Sequence, residues 1–262
     1  MVDTPAVEYV VAEAAGAGIG DVLLVSSRSK TAIEDYFDRD AELVDLLRRD
    51  GKDVLADFAE RPTKLARVHS VRQGEPLGLG HAVLQARSHV GDNAFAVLLP
   101  DDVMHPSSSL LKQMVATREQ RGGSVIALMR VSDDEVGAYG NAGVEELPGG
   151  GLHVTGLVEK PKPGQQLSNY AVVGRYVLDP VVFELLEGQS AGAGGEIQLT
   201  DALARLIDLP AERGGGVSAV VVEDKRFDTG DKFGYLTANI ELALEHPEFG
   251  PRLREWLKGA LA

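Results

Sequence analysis

Cysteine is absent from the sequence, which rules out disulfide frameworks, thiolate zinc sites and cysteine nucleophiles, and accords with a reducing compartment. Aromatic residues make up only 5 %, with one tryptophan. No apolar run approaches the roughly 20 residues of a membrane span, and no basic-then-apolar leader opens the chain. A cytoplasmic protein without a membrane segment is the expectation. Lys and Arg are outnumbered 26 to 40 by Asp and Glu, for a net charge of -14. That balance argues against a nucleic-acid surface, which needs clustered cations against phosphates. A small phosphate can still be held locally by a few cations, backbone N–H groups or a divalent metal.

With 262 residues the chain can bury the core of one large α/β domain. The first element reads as a helix, with Thr4 as cap, Pro5 in the first turn, and Val7, Val10, Val11 and Ala14 as an apolar stripe. Val22–Val25 reads as a parallel strand covered on both faces. Further strands are predicted at 64–70, 95–99 and 125–130, with helical patterns at 31–37, 41–59, 81–88 and 109–121. Helix alternating with strand means a doubly wound sheet. After Gly140 the texture changes to hairpins, with strands at 143–147, 152–159 and 170–178 around a turn at 148–151 that should join the same sheet. A strand at 217–222 and helices at 180–187, 196–208, 231–246 and 251–261 complete the pattern. A doubly wound fold usually opens on a strand and a Gly-rich turn, whereas this sequence opens on a helix.

Several motifs carry chemistry. Leu98-Leu99-Pro100-Asp101-Asp102 puts carboxylates after an apolar strand, where such folds bind ligands and where one Asp can hold Mg²⁺ with substrate phosphates; a turn-forming Asp pair reads the same way. Asp228, in Phe227-Asp228-Thr229-Gly230, is either a second metal ligand or an Asx turn. Val158-Glu159-Lys160-Pro161 offers an acceptor for sugar hydroxyls and a point charge for a phosphate, or a surface ion pair. The loop from Arg72 to His81 carries Gly74, Gly78 and Gly80 and is not a dinucleotide fingerprint. Gln73 within it matches the donor and acceptor edge of uracil. Gly188-Gln189-Ser190-Ala191-Gly192 has the spacing of a nucleophile elbow but follows a helical pattern, so a hydrolase is rejected. The six histidines, at 69, 81, 89, 105, 153 and 246, show no H-E-x-x-H or H-x-H spacing, so the sequence presents no zinc site.

In order along the chain, Val2-Asp3-Thr4-Pro5, Arg72-Gln73-Gly74, Gly78-Leu79-Gly80-His81, Leu99-Pro100-Asp101, Ala138-Tyr139-Gly140, Val158-Glu159-Lys160-Pro161, Ser168 to Tyr176 and Gly195 to Asp201 resemble bacterial UTP:glucose-1-phosphate uridylyltransferases. The resemblance implies a Rossmann-like mixed sheet of the sugar nucleotidyltransferase type in one domain, 1–262. Residues 1–130 would be a nucleotide half, 131–230 a sugar half and 231–262 C-terminal helices. It implies Mg²⁺ on Asp101 and Asp228, uracil and ribose contacts from Gln73 and Gly78, and glucose contacts from Gly140, Glu159 and Val173. Lys160 would take the phosphate of glucose 1-phosphate. UTP, glucose 1-phosphate and UDP-glucose are the implied partners, in a homodimer or homotetramer. In that family a strand and a G-x-G-T-R-x-x-P-x-x-K-x-x-P-K-E loop that grips the triphosphate precede V-D-x-P; this sequence does not contain them. Turnover is therefore in question, and binding of a nucleotide sugar without turnover is the competing expectation. A thymidylyltransferase is another, with Glu196 to Asp201 favouring the uridylyl branch.

Overall fold

The computed structural model describes residues 1–148 and 150–260. Gly149 of the predicted turn and Leu261 of the predicted last helix lie outside the described residues. In order the first elements are α1 (Ala6–Gly16), β1 (Asp21–Ser26), α2 (Thr31–Asp35), α3 (Ala41–Arg49), α4 (Asp53–Glu60), β2 (Arg67–Arg72), α5 (Leu79–Leu84), α6 (Arg87–Val90), β3 (Phe95–Leu98), β4 (Asp102–Met104), α7 (Leu110–Arg121) and β5 (Ser124–Arg130). After them come β6 (Gly140–Glu146), β7 (Leu152–Glu159), β8 (Tyr170–Leu178), α8 (Val182–Glu187), α9 (Leu199–Ile207), β9 (Val217–Val221), β10 (Arg226–Asp228), α10 (Lys232–Glu245) and α11 (Gly250–Ala260).

Six strands form the main mixed sheet, in the order β3-β8-β5-β9-β7-β6. Its β5–β9 contact is parallel and its other contacts are antiparallel. Alternation along β5 gives the sheet two apolar faces. Ile126 and Leu128 pack with Phe183, Leu186, Leu203 and Leu206 of α8 and α9. Val125 and Ala127 pack with Leu110, Leu111 and Met114 of α7. Helices thus cover both faces, and the expected doubly wound α/β architecture is present.

The prediction of one continuous sheet needs correction. β1 and β2 form a separate parallel pair, and β4 and β10 a small antiparallel one. Among the described residues β1 pairs only with β2, and β3 only with β8. For the same reason β1 is half-open rather than covered on both faces, with Val25 exposed. The predicted helix 41–59 is two helices, because Gly51 at φ 71 reverses the chain between them. β2 starts late because Pro62–Lys64 forms a 3₁₀ turn. Thr4 does not cap α1; its hydroxyl donates to Asp3 and accepts from Arg61. The three-residue strands β4 and β10 are too short for periodicity to reveal.

α3 and α4 are tied by Glu60, whose carboxylate accepts from Lys64 at 3.2 Å, Arg39 at 3.2 Å and Arg48 at 2.9 Å. These cations, Lys64 foremost, lower its pKa from 4.5 to about 2. A carboxyl held low in the folded state adds stability above its unfolded value and loses it as pH falls through the folded one. Acid titration between pH 4.5 and 2 should therefore loosen this helix pair. Glu60→Gln should flatten that part of an acid-unfolding curve followed by circular dichroism.

Candidate active site

The strand-end aspartates divide the work. Asp102 is buried; its Oδ2 accepts from Gly174 N at 2.7 Å and its Oδ1 is paired with Arg226. Asp101 is exposed. Register explains how Asp228 reaches it: β10 pairs with β4 so that Asp228 faces Asp102. Thr229 then donates to the Asp101 carbonyl through both its N–H, at 2.7 Å, and its Oγ1, at 3.0 Å. A Cβ placed on Gly230 would sit 3.3 Å from Asp228 Oδ1 and 3.5 Å from Asp101 Oδ2. The two carboxylates therefore border one methyl-sized space. The Asx turn is present too, since Gly230 N donates to Asp228 Oδ1 at 3.1 Å. The turn is what aims the side chain.

Sequence reasoning missed the two arginines that hold this corner. Arg175, of β8, is fully buried and ties together α1, β4 and the residue after β3. It meets Glu13 of α1 at 2.8 Å through Nη2, and donates to Leu99 O at 3.1 Å and to the Asp102 carbonyl. Both chain segments flanking Pro100-Asp101 are thereby pinned to one rigid guanidinium. Arg226 joins Asp102 to Asp228, lying 3.5 Å from Asp228 Oδ2. The only hint was an Arg inside an otherwise apolar strand, Gly174-Arg175-Tyr176.

The hairpin end is built by β6 and β7, whose register sets Gly140 opposite Glu159. A Cβ on Gly140 would lie 3.3 Å from Glu159 Oε2, so glycine leaves the carboxylate accessible there. Thr200 Oγ1, at the start of α9, donates to Glu159 Oε2 at 2.6 Å. Thr200 is a third residue the sequence reading passed over. Lys160 leaves the strand with φ 43, its N–H bonded to Tyr139 O and its side chain exposed. Among the described residues its ammonium has no ion-pair partner. The surface Glu159–Lys160 ion pair is thus not formed. Val173 differs from a side-chain contact: it is fully buried in the layer under α7. Its backbone lies where the β5–β8 register shifts at a bulge.

Tyr176 of β8 links the two ends. Its buried hydroxyl is pushed far above the ordinary tyrosine value, first by burial and then by the Glu159, Asp102 and Asp101 carboxylates. It stays a neutral phenol near three acids.

The Gly-rich loop lies between β2 and α5. Gln73 Nε2 contacts His81 Nδ1 at 3.0 Å and donates to Gly78 O at 3.2 Å, which fixes its amide plane. The loop is clamped to the segment before α9 by Gly80 N to Ile197 O, at 2.8 Å, and Ile197 N to Leu77 O, at 2.7 Å. Gly78 has φ 106, and a Cβ there would meet Ile197 O at 2.8 Å, so only glycine fits. The rejected elbow at 188–192 does follow a helix, α8, and not a strand.

The two-faced sheet, with its acidic strand ends and Gly-rich loop, is the architecture of a nucleotidyl transferase; residues 1–244 match that family, and the chain belongs to it. More narrowly, it is 40 % identical over 261 residues to the UTP–glucose-1-phosphate uridylyltransferase of Bacillus subtilis, covering 100 % of this chain and 88 % of the relative. The UTP-bound UGPase from Acinetobacter baumannii superposes with a TM-score of 0.87 at 41 % identity, over 98 % of this chain and 88 % of that one. A UDP-glucose pyrophosphorylase complexed with UDP-glucose superposes at 0.81 with 34 % identity, over 94 % and 89 %.

Proposed function

We propose that the chain transfers a uridylyl group from UTP to glucose 1-phosphate, giving UDP-glucose and pyrophosphate. The convergence of Asp101 and Asp228 on one space carries this reading, in a chain whose full length aligns with a uridylyltransferase. A phosphate oxygen of glucose 1-phosphate attacks the α-phosphorus of UTP. The bond to the bridging oxygen breaks, and pyrophosphate leaves with the electron pair. The nucleophile is already an anion, so the site has to align two repelling phosphates rather than move a proton.

The 1–130 half supplies Gln73 for uracil and Gly78 for ribose in this reading. The 131–230 half supplies Gly140, Glu159 and the Val173 backbone for the sugar, and Lys160 for its phosphate. Two carboxylates with no nitrogen or sulfur donor fit a hard divalent cation, here Mg²⁺, held by Asp101 and Asp228. Bound there, it would neutralise charge growing at the α-phosphorus. A homodimer or homotetramer is proposed as well, supported by exposed apolar residues of the 231–262 helices, Phe233 at 74 % and Trp256 at 66 %. Light scattering would measure it. No helix among the described residues is long and apolar enough to cross a membrane; a cytoplasmic setting, where nucleoside triphosphates are used, is the reading adopted.

The direct test is pyrophosphate release from UTP and glucose 1-phosphate, with dTTP as competitor. It is run on this sequence and on one preceded by the family's G-x-G-T-R segment. Release by either supports the proposal; silence of both overturns it. Thr200→Val probes the sugar end. A hydrogen bond to a charged group is worth about 1.5–3 kcal/mol, so KM for glucose 1-phosphate should rise about tenfold or more while KM for UTP holds. An unchanged KM for the sugar phosphate would remove Glu159 from that role.

A further inference from the structure

A cluster of residues other than the strand-end carboxylates is unused by this chemistry. Asp21 opens β1, His69 lies in β2 and His89 in the short helix α6. In the parallel register Leu23 is opposite His69. Residues two apart share a strand face, so Asp21 and His69 project to the same side. His89 completes the group from the helix. His89 Nε2 lies 2.9 Å and His69 Nε2 3.6 Å from the same oxygen, Asp21 Oδ1. The two imidazole rings are 4.9 Å apart. One ligand atom from each residue falls within 4.8 Å of the other two.

We propose that Asp21, His69 and His89 form a binding site for a transition-metal ion of the Zn²⁺ type, tying the β1–β2 pair to the helix that leads into the main sheet. A His–Asp ion pair needs one imidazole; here two converge on one carboxylate oxygen. Around tetrahedral zinc, with bonds of about 2.0 Å, ligand atoms sit roughly 3.3 Å apart. The exposed side chains need only small rotations to contract to that spacing, and solvent completes the coordination. Two imidazoles and a carboxylate select borderline metals over Mg²⁺, unlike the all-oxygen pair at Asp101 and Asp228. Arg67, opposite Asp21, has Nη1 3.5 Å from Oδ2, which leaves Oδ1 to the histidines. Because β1 and β3 share no ladder, a metal here would add a link where backbone bonding supplies none.

Equilibrium dialysis of the whole chain against excess ZnCl₂, with millimolar Mg²⁺ present to occupy oxygen sites, tests this. One zinc per chain is expected, with a melting temperature several degrees higher, since a ligand of the native state stabilises it by mass action. Co²⁺ in its place should give visible absorption bands. In the double variant His69→Gln, His89→Gln the zinc, the shift and the bands should all vanish. Substoichiometric zinc in the parent chain, or equal zinc in parent and variant, overturns the proposal.

Discussion

Asp101→Asn is expected to slow pyrophosphate release about 100-fold or more in whichever form of the chain turns over, the scale seen when a preorganised stabiliser of developing charge is lost. The substitution keeps shape and removes charge. The bonds that place residue 101 run through its carbonyl, from Thr229 N and Oγ1, so melting temperature should be unchanged. The Mg²⁺ concentration for half-maximal rate should rise with the rate loss. Asp102→Asn is the contrast. That carboxylate is buried against Arg226 and Gly174 N, so its loss should destabilise the fold. A full rate for Asp101→Asn at saturating Mg²⁺ would move the metal away from the Asp101–Asp228 space.

Arg175→Met is expected to cost about 3–5 kcal/mol of stability, the range for removing one partner of a buried ion pair. Methionine roughly fills the volume but satisfies nothing. Glu13 would lose its ion-pair partner at 10 % exposure, the carbonyls of Leu99 and Asp102 would lose the guanidinium as donor, and that of Gly174 would keep only Leu99 N. Arg175→Lys should recover little, because a point charge cannot span Glu13 and three carbonyls as the planar fork does. Urea denaturation measures it: with a slope of about 1–3 kcal/mol/M the midpoint should fall by at least about 1 M. Since Arg175 pins both sides of Asp101, surviving folded protein should also need more Mg²⁺. A midpoint within experimental error of the parent would show that the network is dispensable.

Much of the strand and helix order was readable because it rests on local periodicity. β5, β7 and β8 fall within one residue of the patterns for 125–130, 152–159 and 170–178. Their apolar alternation needs no knowledge of partners. Asp101 was legible as a strand-end carboxylate, and Gly78 as a glycine that its loop requires. Thr200 and Arg175 were not, because each earns its role through a partner 41 or 162 positions away. Histidine spacing could not show the Asp21 cluster either, since His69 and His89 meet Asp21 only after β1 pairs with β2 and α6 folds against them.

By itself the sequence determined the alternation of helix and strand, the acidic character and the ordered motifs that place the chain among sugar nucleotidyl transferases. These depend on residue type and short-range spacing, which the linear chain states outright. Only the tertiary structure decided that the main sheet and the β1–β2 pair are separate. It alone brought Asp228 to Asp101, and it alone made Asp102 and Arg175 supports for that pair. Strand register and the burial of charge are set by contacts between distant segments, and those exist only once the chain has closed on itself.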